Sequence, residues 1–161
     1  MQINYVAILK EHRSAKRKAG LIKELAMLRA KDVMSKNVIS IKKDAPILEA
    51  VKLMVENNIS GLPVVNDDMS LTGILSEKDV IELFYEGTRA QDKKVGNYMT
   101  YPAVCYEEND ALLNVCDFLI KNIFRRVPIT SEGKLVGIIS IRDVLDAVLK
   151  QKQEQEVVSA N

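Results

Sequence analysis

The residues of this chain best suited to chemistry are a serine and an aspartate three positions apart, and this pair occurs twice. Ser76 precedes Asp79, and Ser140 precedes Asp143. Each pair follows a short apolar run and opens a segment with apolar residues at helical spacing. Such a pair forms a capping box, which satisfies the free amides of a helix start. The same geometry also suits a nucleotide, because a helix N-terminus attracts phosphate and a carboxylate accepts hydrogen bonds from a ribose diol.

The two pairs belong to a longer internal repeat, which defines the elements that position them. Residues 33–35 (Val-Met-Ser) match residues 98–100 (Tyr-Met-Thr), and residues 62–64 (Leu-Pro-Val) match residues 127–129 (Val-Pro-Ile), at a displacement of 65. Beyond Asp68 the displacement falls to 64. The single deletion lies in a turn-forming stretch, where loops tolerate changes of length. The chain therefore contains two copies of one unit.

Each copy predicts the element order β-α-β-β-α, which is typical of an α+β or α/β fold. A unit of about 55 residues has a marginal core alone, so the two copies are expected to pack about a pseudo-twofold axis with a cleft on each side. The predicted first strands span residues 38–41 and 104–106, with helix caps at Asp44 and Asn109. The predicted core faces of those helices are Ile47, Ala50, Val51 and Met54 in the first copy, and Leu112, Val115, Cys116 and Leu119 in the second.

The first 30 residues are predicted to form a basic helical segment, with a break near Gly20. Its apolar stripe must be covered by the following domain or by a second chain. Residues 1–31 hold eight Lys or Arg against two Glu, which is typical of a solvated helix face and also of a nucleic-acid-binding arm. Nucleic acid is the less favoured partner, since no aromatic or Gly-rich elements accompany the charge. The stripe comprises Leu21, Ile22, Leu25 and Leu28.

The composition favours a cytoplasmic protein without catalytic activity. In 161 residues, 47% of them apolar, no run approaches the roughly 20 apolar residues of a membrane helix, and the charged N-terminus does not suit a signal peptide. Cys105 and Cys116 have no His or Cys at metal-ligand spacing nearby and are predicted to be buried free thiols. His12 is the single histidine, so neither a His-based catalytic site nor a metal site is predicted.

Over about residues 31–149 the chain resembles a tandem pair of cystathionine-β-synthase (CBS) domains, the Bateman module. The resemblance rests on Met-Ser and Met-Thr before the first strands, the Leu-Pro-Val-Val and Val-Pro-Ile-Thr strands, and the two Gly-x-x-Ser-x-x-Asp segments. It implies a regulatory protein that binds an adenosine-containing ligand: AMP, ADP or ATP ahead of S-adenosylmethionine or NAD. The predicted boundaries are 1–30 for the N-terminal segment, 31–87 for the first CBS domain, 88–94 for the linker, 95–150 for the second CBS domain and 151–161 for a polar C-terminal tail.

By this resemblance, each cleft takes its Ser and Asp from one copy and its adenine-facing segments from the other. Both aspartates are present, whereas members of the family with an inactive cleft often lack one; whether both clefts are occupied stays open. The residues implied for the first cleft are Ser76, Asp79, Met99, Val104, Phe124, Arg125 and Arg126. Those implied for the second cleft are Ser140, Asp143, Met34, Ile39, Ile59, Ser60 and Gly61.

Two adjacent arginines distinguish the clefts. Arg125-Arg126 resembles the basic pair that meets phosphate in the γ subunit of AMP-activated protein kinase, whereas the first copy has Ser60-Gly61 at the equivalent positions. Guanidinium groups bind phosphate bidentately, so the first cleft is predicted to hold phosphorylated ligands more tightly. Lys78 and Arg142, one residue before each aspartate, either add charge for a phosphate or face solvent as ordinary helix-start residues.

The resulting functional prediction is a stand-alone, homodimeric sensor of energy state or of a metabolite. The alternative is a ligand-independent dimeric scaffold that recruits a protein partner through its basic N-terminal helices. In either case the second helix of each copy is expected to form the dimer interface, with the N-terminal segments over the joint. The predicted interface residues are Ile81, Phe84, Leu145 and Val148.

Overall fold

The computed structural model describes residue 20 and residues 22–23, 25–85, 87 and 92–159. It confirms an α+β fold made of two repeats, each with one three-stranded sheet. Most of the predicted N-terminal segment, with His12, and most of the predicted linker lie outside the described residues. The first repeat contains α1 (Ala30–Val33), β1 (Ile41–Lys42), α2 (Ile47–Glu56), β2 (Gly61–Val65), β3 (Leu71–Ser76) and α3 (Glu77–Tyr85). The second contains a 3-10 turn (Val95–Asn97), β4 (Tyr106–Glu107), α4 (Leu112–Lys121), β5 (Arg126–Ser131), β6 (Lys134–Ser140) and α5 (Ile141–Ser159).

The two sheets share one topology. Their strand orders are β1-β2-β3 and β4-β5-β6, with the first pair parallel and the second antiparallel. A bulge lies between Val64 and Val65, and its equivalent lies between Ile129 and Thr130. The first strand of each sheet is shorter than predicted and lies nearer the helix, because residues 38–40 and 104–105 do not join the ladder.

The predicted caps of α2 and α4 are wrong. The N-cap residues are Pro46 and Ala111, and neither makes a side-chain cap. Backbone from a distant segment replaces the side chain: the amide of Ile47 donates to the carbonyl of Lys93 at 2.8 Å, and the amide of Leu112 donates to the carbonyl of Leu28 at 3.0 Å. The predicted cap residues instead accept from lysines on those same distant segments. These contacts are Lys94 Nζ to Asp44 at 3.4 Å and Lys31 Nζ to Asn109 at 2.8 Å.

Each copy begins with a segment that crosses to the sheet of the other copy. Ser35 exchanges two backbone hydrogen bonds with Ile138 of β6, at 2.9 and 3.0 Å. Thr100 does the same with Ile74 of β3, at 2.8 and 3.1 Å. Because β3 and β6 end at the Ser-x-x-Asp pairs, this crossing places a hydroxyl residue of one copy beside the helix start of the other.

Two glycines allow the crossing segments to approach so closely. A Cβ atom at Gly73 would lie 2.7 Å from Met99 Sδ and 2.7 Å from the carbonyl oxygen of Thr100. At Gly137, a Cβ atom would collide with the Met34 side chain. The glycine that opens each Gly-x-x-Ser-x-x-Asp segment is thus required by the methionine of the opposite copy.

Each repeat has its own hydrophobic core, completed by residues from the segment that leads into the other repeat. Fully buried Val95 joins the first core, and Tyr98 and Met99 pack against it. Ala30 and Leu25 join the second core, and Leu28 packs against it. Part of the predicted N-terminal stripe is therefore covered by the chain's own second repeat, although Ile22 is 48% exposed. The predicted helix faces are confirmed, with Ile47, Ala50, Met54, Leu112, Val115 and Leu119 buried and Val51 and Cys116 half-buried.

The C-terminal end is more regular than predicted. Helix α5 continues to Ser159, through the stretch expected to be a fraying tail after Lys150. That stretch is rich in Lys, Gln and Glu, which are good helix formers even without a hydrophobic face. Within the described part of the chain, none of the helices is long and apolar enough to cross a membrane.

Both cysteines are free thiols, and their burial differs. Cys116 is half-buried on α4, and desolvation raises the pKa of its thiol. Cys105 is exposed, so its predicted burial is wrong. The cause is the late start of β4 at Tyr106, which leaves Cys105 in the preceding connection and outside the sheet.

Candidate functional site

The start of α3 carries the first Ser–Asp pair in capping-box geometry. The amide and hydroxyl of Ser76 both donate to Asp79 Oδ2, at 2.7 and 2.6 Å. The amide of Asp79 donates to Ser76 Oγ at 3.3 Å. No donor among the described residues contacts Asp79 Oδ1. One carboxylate oxygen is therefore fixed by the helix start, and the other remains available as an acceptor.

The start of α5 repeats this box and adds one contact. The amide of Ser140 donates to Asp143 Oδ2 at 2.7 Å, and its hydroxyl donates to the same oxygen. The remaining oxygen, Oδ1, accepts a hydrogen bond from the Ser35 hydroxyl at 2.8 Å. The capping interpretation of both motifs is thus correct, but only the first motif keeps an open carboxylate oxygen.

A cavity of about 300 Å³ lies beside the open oxygen of Asp79. Six of the seven residues predicted for the first cleft line it together: Ser76, Asp79, Val104, Phe124, Arg125 and Arg126. Lys78 lines it as well. Met99 does not, because its side chain packs against Gly73 and the first core.

The residues predicted for the second cleft are not gathered in one place. Ser60 and Gly61 line the cavity of Asp79. Ile39 and Ile59 pack against the first core, and Met34 packs against the second. Only Ser140 and Asp143 remain together, in their capping box, and Arg142 is exposed.

Strand pairing explains why the loop before β2 joins the first cavity. Gly61 pairs with Ser76, and the amide of Glu77 donates to the carbonyl of Ser60 at 3.0 Å. A Cβ atom at Gly61 would lie 3.3 Å from the carbonyl of Leu75. The residues before β2 are therefore held against the first turn of α3, next to Asp79.

Arg126 contributes a positive charge to the cavity wall. It is the first residue of β5 and pairs with Ser140 across the sheet. Its Nε is shielded from solvent and has no hydrogen-bond partner among the described residues. The charge of its guanidinium favours an anion in the cavity. Arg125 beside it is exposed, and Lys78 lies only 3.8 Å from Glu82 in an exposed pair that is worth little.

Aromatic side chains form another part of the wall. Phe124 and Phe118 stack with their ring centroids 5.7 Å apart and their planes 8° apart, and Tyr106 meets the edge of Phe118. Phe124 is 44% exposed, so one aromatic surface remains open to a ligand. Sequence analysis missed Phe118, although its place three residues after the core position Val115 indicated an inward-facing side chain on α4.

Comparison with known proteins identifies the family of both repeats. A family model described as "CBS domain" matches residues 30–86 and 95–150, which is more than half of the sequence. The two matches coincide with the two repeats of the structure.

Two curated relatives contain the region as part of longer chains. An uncharacterised protein of Methanocaldococcus jannaschii is 33% identical over 115 residues, covering 71% of this chain and 41% of that protein. The inosine-5'-monophosphate dehydrogenase of the same organism is 35% identical over 121 residues, covering 74% of this chain and 23% of the enzyme. The chain therefore spans less than half of either relative.

Solved structures share the fold. CBSX2 in complex with AMP matches with a TM-score of 0.70 at 28% identity, covering 77% of this chain and 98% of that one. CBSX2 is a CBS-pair protein of Arabidopsis thaliana. The CBS domain pair of protein MJ0100, in complex with 5'-methylthioadenosine and S-adenosyl-L-methionine, matches with a TM-score of 0.64 at 25% identity, covering 74% and 98% of the two chains.

Proposed function

The chain belongs to the CBS domain family, and we propose that it is a regulatory protein that binds an adenine nucleotide in the cavity beside Asp79. One observation carries the proposal: a single cavity is lined by a carboxylate with one oxygen that meets no donor among the described residues and by two adjacent arginines, Arg125 and Arg126. The first group accepts hydrogen bonds from a sugar diol, and the second donates to phosphate. A nucleotide satisfies both groups at once.

The phosphate belongs near Arg125 and Arg126. A guanidinium binds phosphate through two parallel hydrogen bonds, and both arginines line the cavity. The start of α3 adds the positive end of its helix dipole. Glu77 and Asp79 provide the opposing negative charge, so a ligand with phosphate close to the arginines and a neutral sugar near Asp79 fits best.

The base belongs against Phe124 and Val104. Both line the cavity, and both are only half covered, at 44% and 48% exposure. Stacking of a base on an aromatic ring is worth about 1–3 kcal/mol. The Phe118 ring behind Phe124 holds it in place through the parallel stack.

The charges favour AMP, ADP or ATP over S-adenosylmethionine. The latter carries a sulfonium cation, which two arginines repel, and it has no phosphate to pair with them. That solved CBS pairs are described with AMP and with methylated adenosine derivatives supports an adenosine ligand in general. Sensing of energy state through this site is the role we propose.

Calorimetric titration with AMP and with adenosine tests the site. We expect Arg126→Ala to weaken AMP binding about 10- to 100-fold, which corresponds to a charge-assisted hydrogen bond of about 1.5–3 kcal/mol. Adenosine affinity should change far less, because adenosine lacks the phosphate. The control is Arg142→Ala, which removes an exposed arginine that does not line this cavity. Equal losses for AMP and adenosine would contradict the phosphate assignment.

A dimeric scaffold is the second candidate, and exposed apolar side chains favour it. Ile81 is 65% exposed and Tyr85 is 92% exposed on α3, while Leu145 and Leu149 are each 57% exposed on α5. The predicted interface needs one correction: Val148 faces the second core, and Leu149 takes its place on the outer surface. We propose that α3 and α5 pair with the same helices of a second copy.

Light scattering tests the dimer directly. Ile81→Asp with Leu145→Asp should convert a dimer to a folded monomer, since both side chains are exposed in the single chain and charge there cannot be buried cheaply in an interface. A wild-type monomer would eliminate the scaffold candidate. The cytoplasmic location of the protein and its regulation of a protein partner remain predictions.

A further inference from the structure

The two Ser–Asp motifs differ in what contacts the free oxygen of the aspartate. In the first motif, Asp79 Oδ1 has no donor among the described residues. In the second, Asp143 Oδ1 accepts from the Ser35 hydroxyl at 2.8 Å, across 108 positions of sequence. Ser35 belongs to the segment that opens the first copy, so this contact joins the two copies.

The backbone does not account for the difference. Ser35 and Thr100 are equivalent residues, and each exchanges two backbone hydrogen bonds with the strand that leads into the opposite motif. Their side chains alone diverge. Ser35 directs its hydroxyl to Asp143, whereas Thr100 lines the open cavity and makes no side-chain hydrogen bond to Asp79.

The Ser35 hydroxyl donates to the carboxylate oxygen that a sugar hydroxyl beside Asp143 would need. A ribose that approached Asp143 would have to displace an existing O–H donor, exchanging one hydrogen bond for another with no net gain. Beside Asp79 the same ribose forms a new hydrogen bond. The surrounding side chains add to this difference, because Arg125 and Phe124 correspond to uncharged Ser60 and aliphatic Ile59 in the other copy.

We infer that the chain binds one nucleotide, beside Asp79, and that Ser35 acts as an internal substitute for the sugar that closes the second motif and ties the two copies together. The stoichiometry rests on the proposed function, whereas the contact between Ser35 and Asp143 does not. The Ser76–Asp79 motif is thus the binding site, and the Ser140–Asp143 motif is a structural contact between the two copies.

The first experiment measures stoichiometry by calorimetric titration of the full chain with AMP. We expect one site per chain, lost in Asp79→Ala and retained with unchanged affinity in Asp143→Ala. These variants are matched, since each removes the aspartate of one capping box. Two sites in the wild-type chain, or loss of the single site in Asp143→Ala, would overturn the inference.

The second experiment needs no ligand. Double-mutant cycles of thermal unfolding compare Ser35→Ala with Asp143→Ala, and Thr100→Ala with Asp79→Ala. The first cycle should show coupling, so that the double variant loses less in Tm than the two single losses added together, and the second cycle should show none. Absence of all AMP binding would refute the proposed function together with the stoichiometry, while the cycles would still decide the role of Ser35. Equal coupling in both cycles, or none in the first, would refute that role.

Discussion

The two copies of the repeat agree in their cores and diverge at the ends of their third strands. Ile47 and Leu112 are equivalent and fully buried, and the bulges of the two sheets fall at equivalent positions. The capping boxes of α3 and α5 are equally alike. Yet only the box of α3 faces a cavity with an unpartnered arginine, while the box of α5 is joined to Ser35.

This contrast shows that a repeated backbone motif does not determine the chemistry beside it. The Ser-x-x-Asp pair satisfies the amides of a helix start in both copies. In the proposed function, whether the pair also receives a ligand depends on side chains that the other copy contributes, such as those before β5.

The largest expected effect concerns Gly73 and Gly137, which contact the segments that cross between the two copies. Gly73→Ala should lower the free energy of unfolding by about 3 kcal/mol or more, because the new Cβ would meet both Met99 and the backbone oxygen of Thr100 at 2.7 Å. Gly137→Ala should cost roughly 1–2 kcal/mol, since its close contacts are all with the flexible Met34 side chain. Urea denaturation of the two variants measures the difference.

A second substitution, at the methionine that contacts each glycine, tests the cause of this difference in stability. Met34→Ala should restore part of the stability of Gly137→Ala, because it removes the two nearest atoms. Met99→Ala should restore little in Gly73→Ala, since the backbone oxygen stays in place. Equal costs for the two glycines, or full rescue by Met99→Ala, would show that the crossing segments adapt more freely than their hydrogen bonds to Ile74 and Ile138 indicate.

Sequence analysis predicted the fold well wherever the chain repeats a periodic pattern. The helix faces around Ile47 and Leu112, the hairpins and both Ser-x-x-Asp helix starts follow from local spacing, which the duplication supports independently. The helix caps were missed because Asp44 and Asn109 have good capping side chains but lie in competition with distant backbone. The carbonyls of Lys93 and Leu28, which satisfy those helix starts, carry no local sequence signal.

The site was predictable in part. Asp79, Arg125, Arg126 and Phe124 do line one cavity, as the family resemblance implied. Ser60 and Gly61, which were predicted for the other cleft, line the cavity of Asp79, because strand pairing holds the residues before β2 against the start of α3. The hydrogen bond of Ser35 was invisible for a different reason, since it depends on a rotamer of an exposed serine.

A smaller effect is expected on ligand affinity when Phe124 of the cavity wall is compared with Ile59, its equivalent in the first copy. Phe124→Ala should weaken AMP binding by about 1–3 kcal/mol through loss of stacking on the base. Ile59→Ala, the same change in the other copy, should lower Tm through the first core and leave AMP affinity unchanged. Titration of both variants with AMP, below their unfolding temperatures, checks the pair. Weakened binding in Ile59→Ala would place the base in contact with the wrong copy.

The smallest expected effect on the free energy of unfolding concerns the bulge residue of β3, which has an equivalent in β6. Thr72 has a buried hydroxyl without a hydrogen-bond partner among the described residues, and the equivalent residue in β6 is Val136. Thr72→Val keeps the shape of the side chain and removes the unsatisfied group, so the free energy of unfolding should rise by about 1 kcal/mol. The matched control is Thr130→Val, where the buried hydroxyl donates to Glu107 at 2.7 Å and its removal should destabilise the protein. Urea denaturation should therefore shift the two midpoints in opposite directions, and a loss of stability in Thr72→Val would mean that its hydroxyl is satisfied by water.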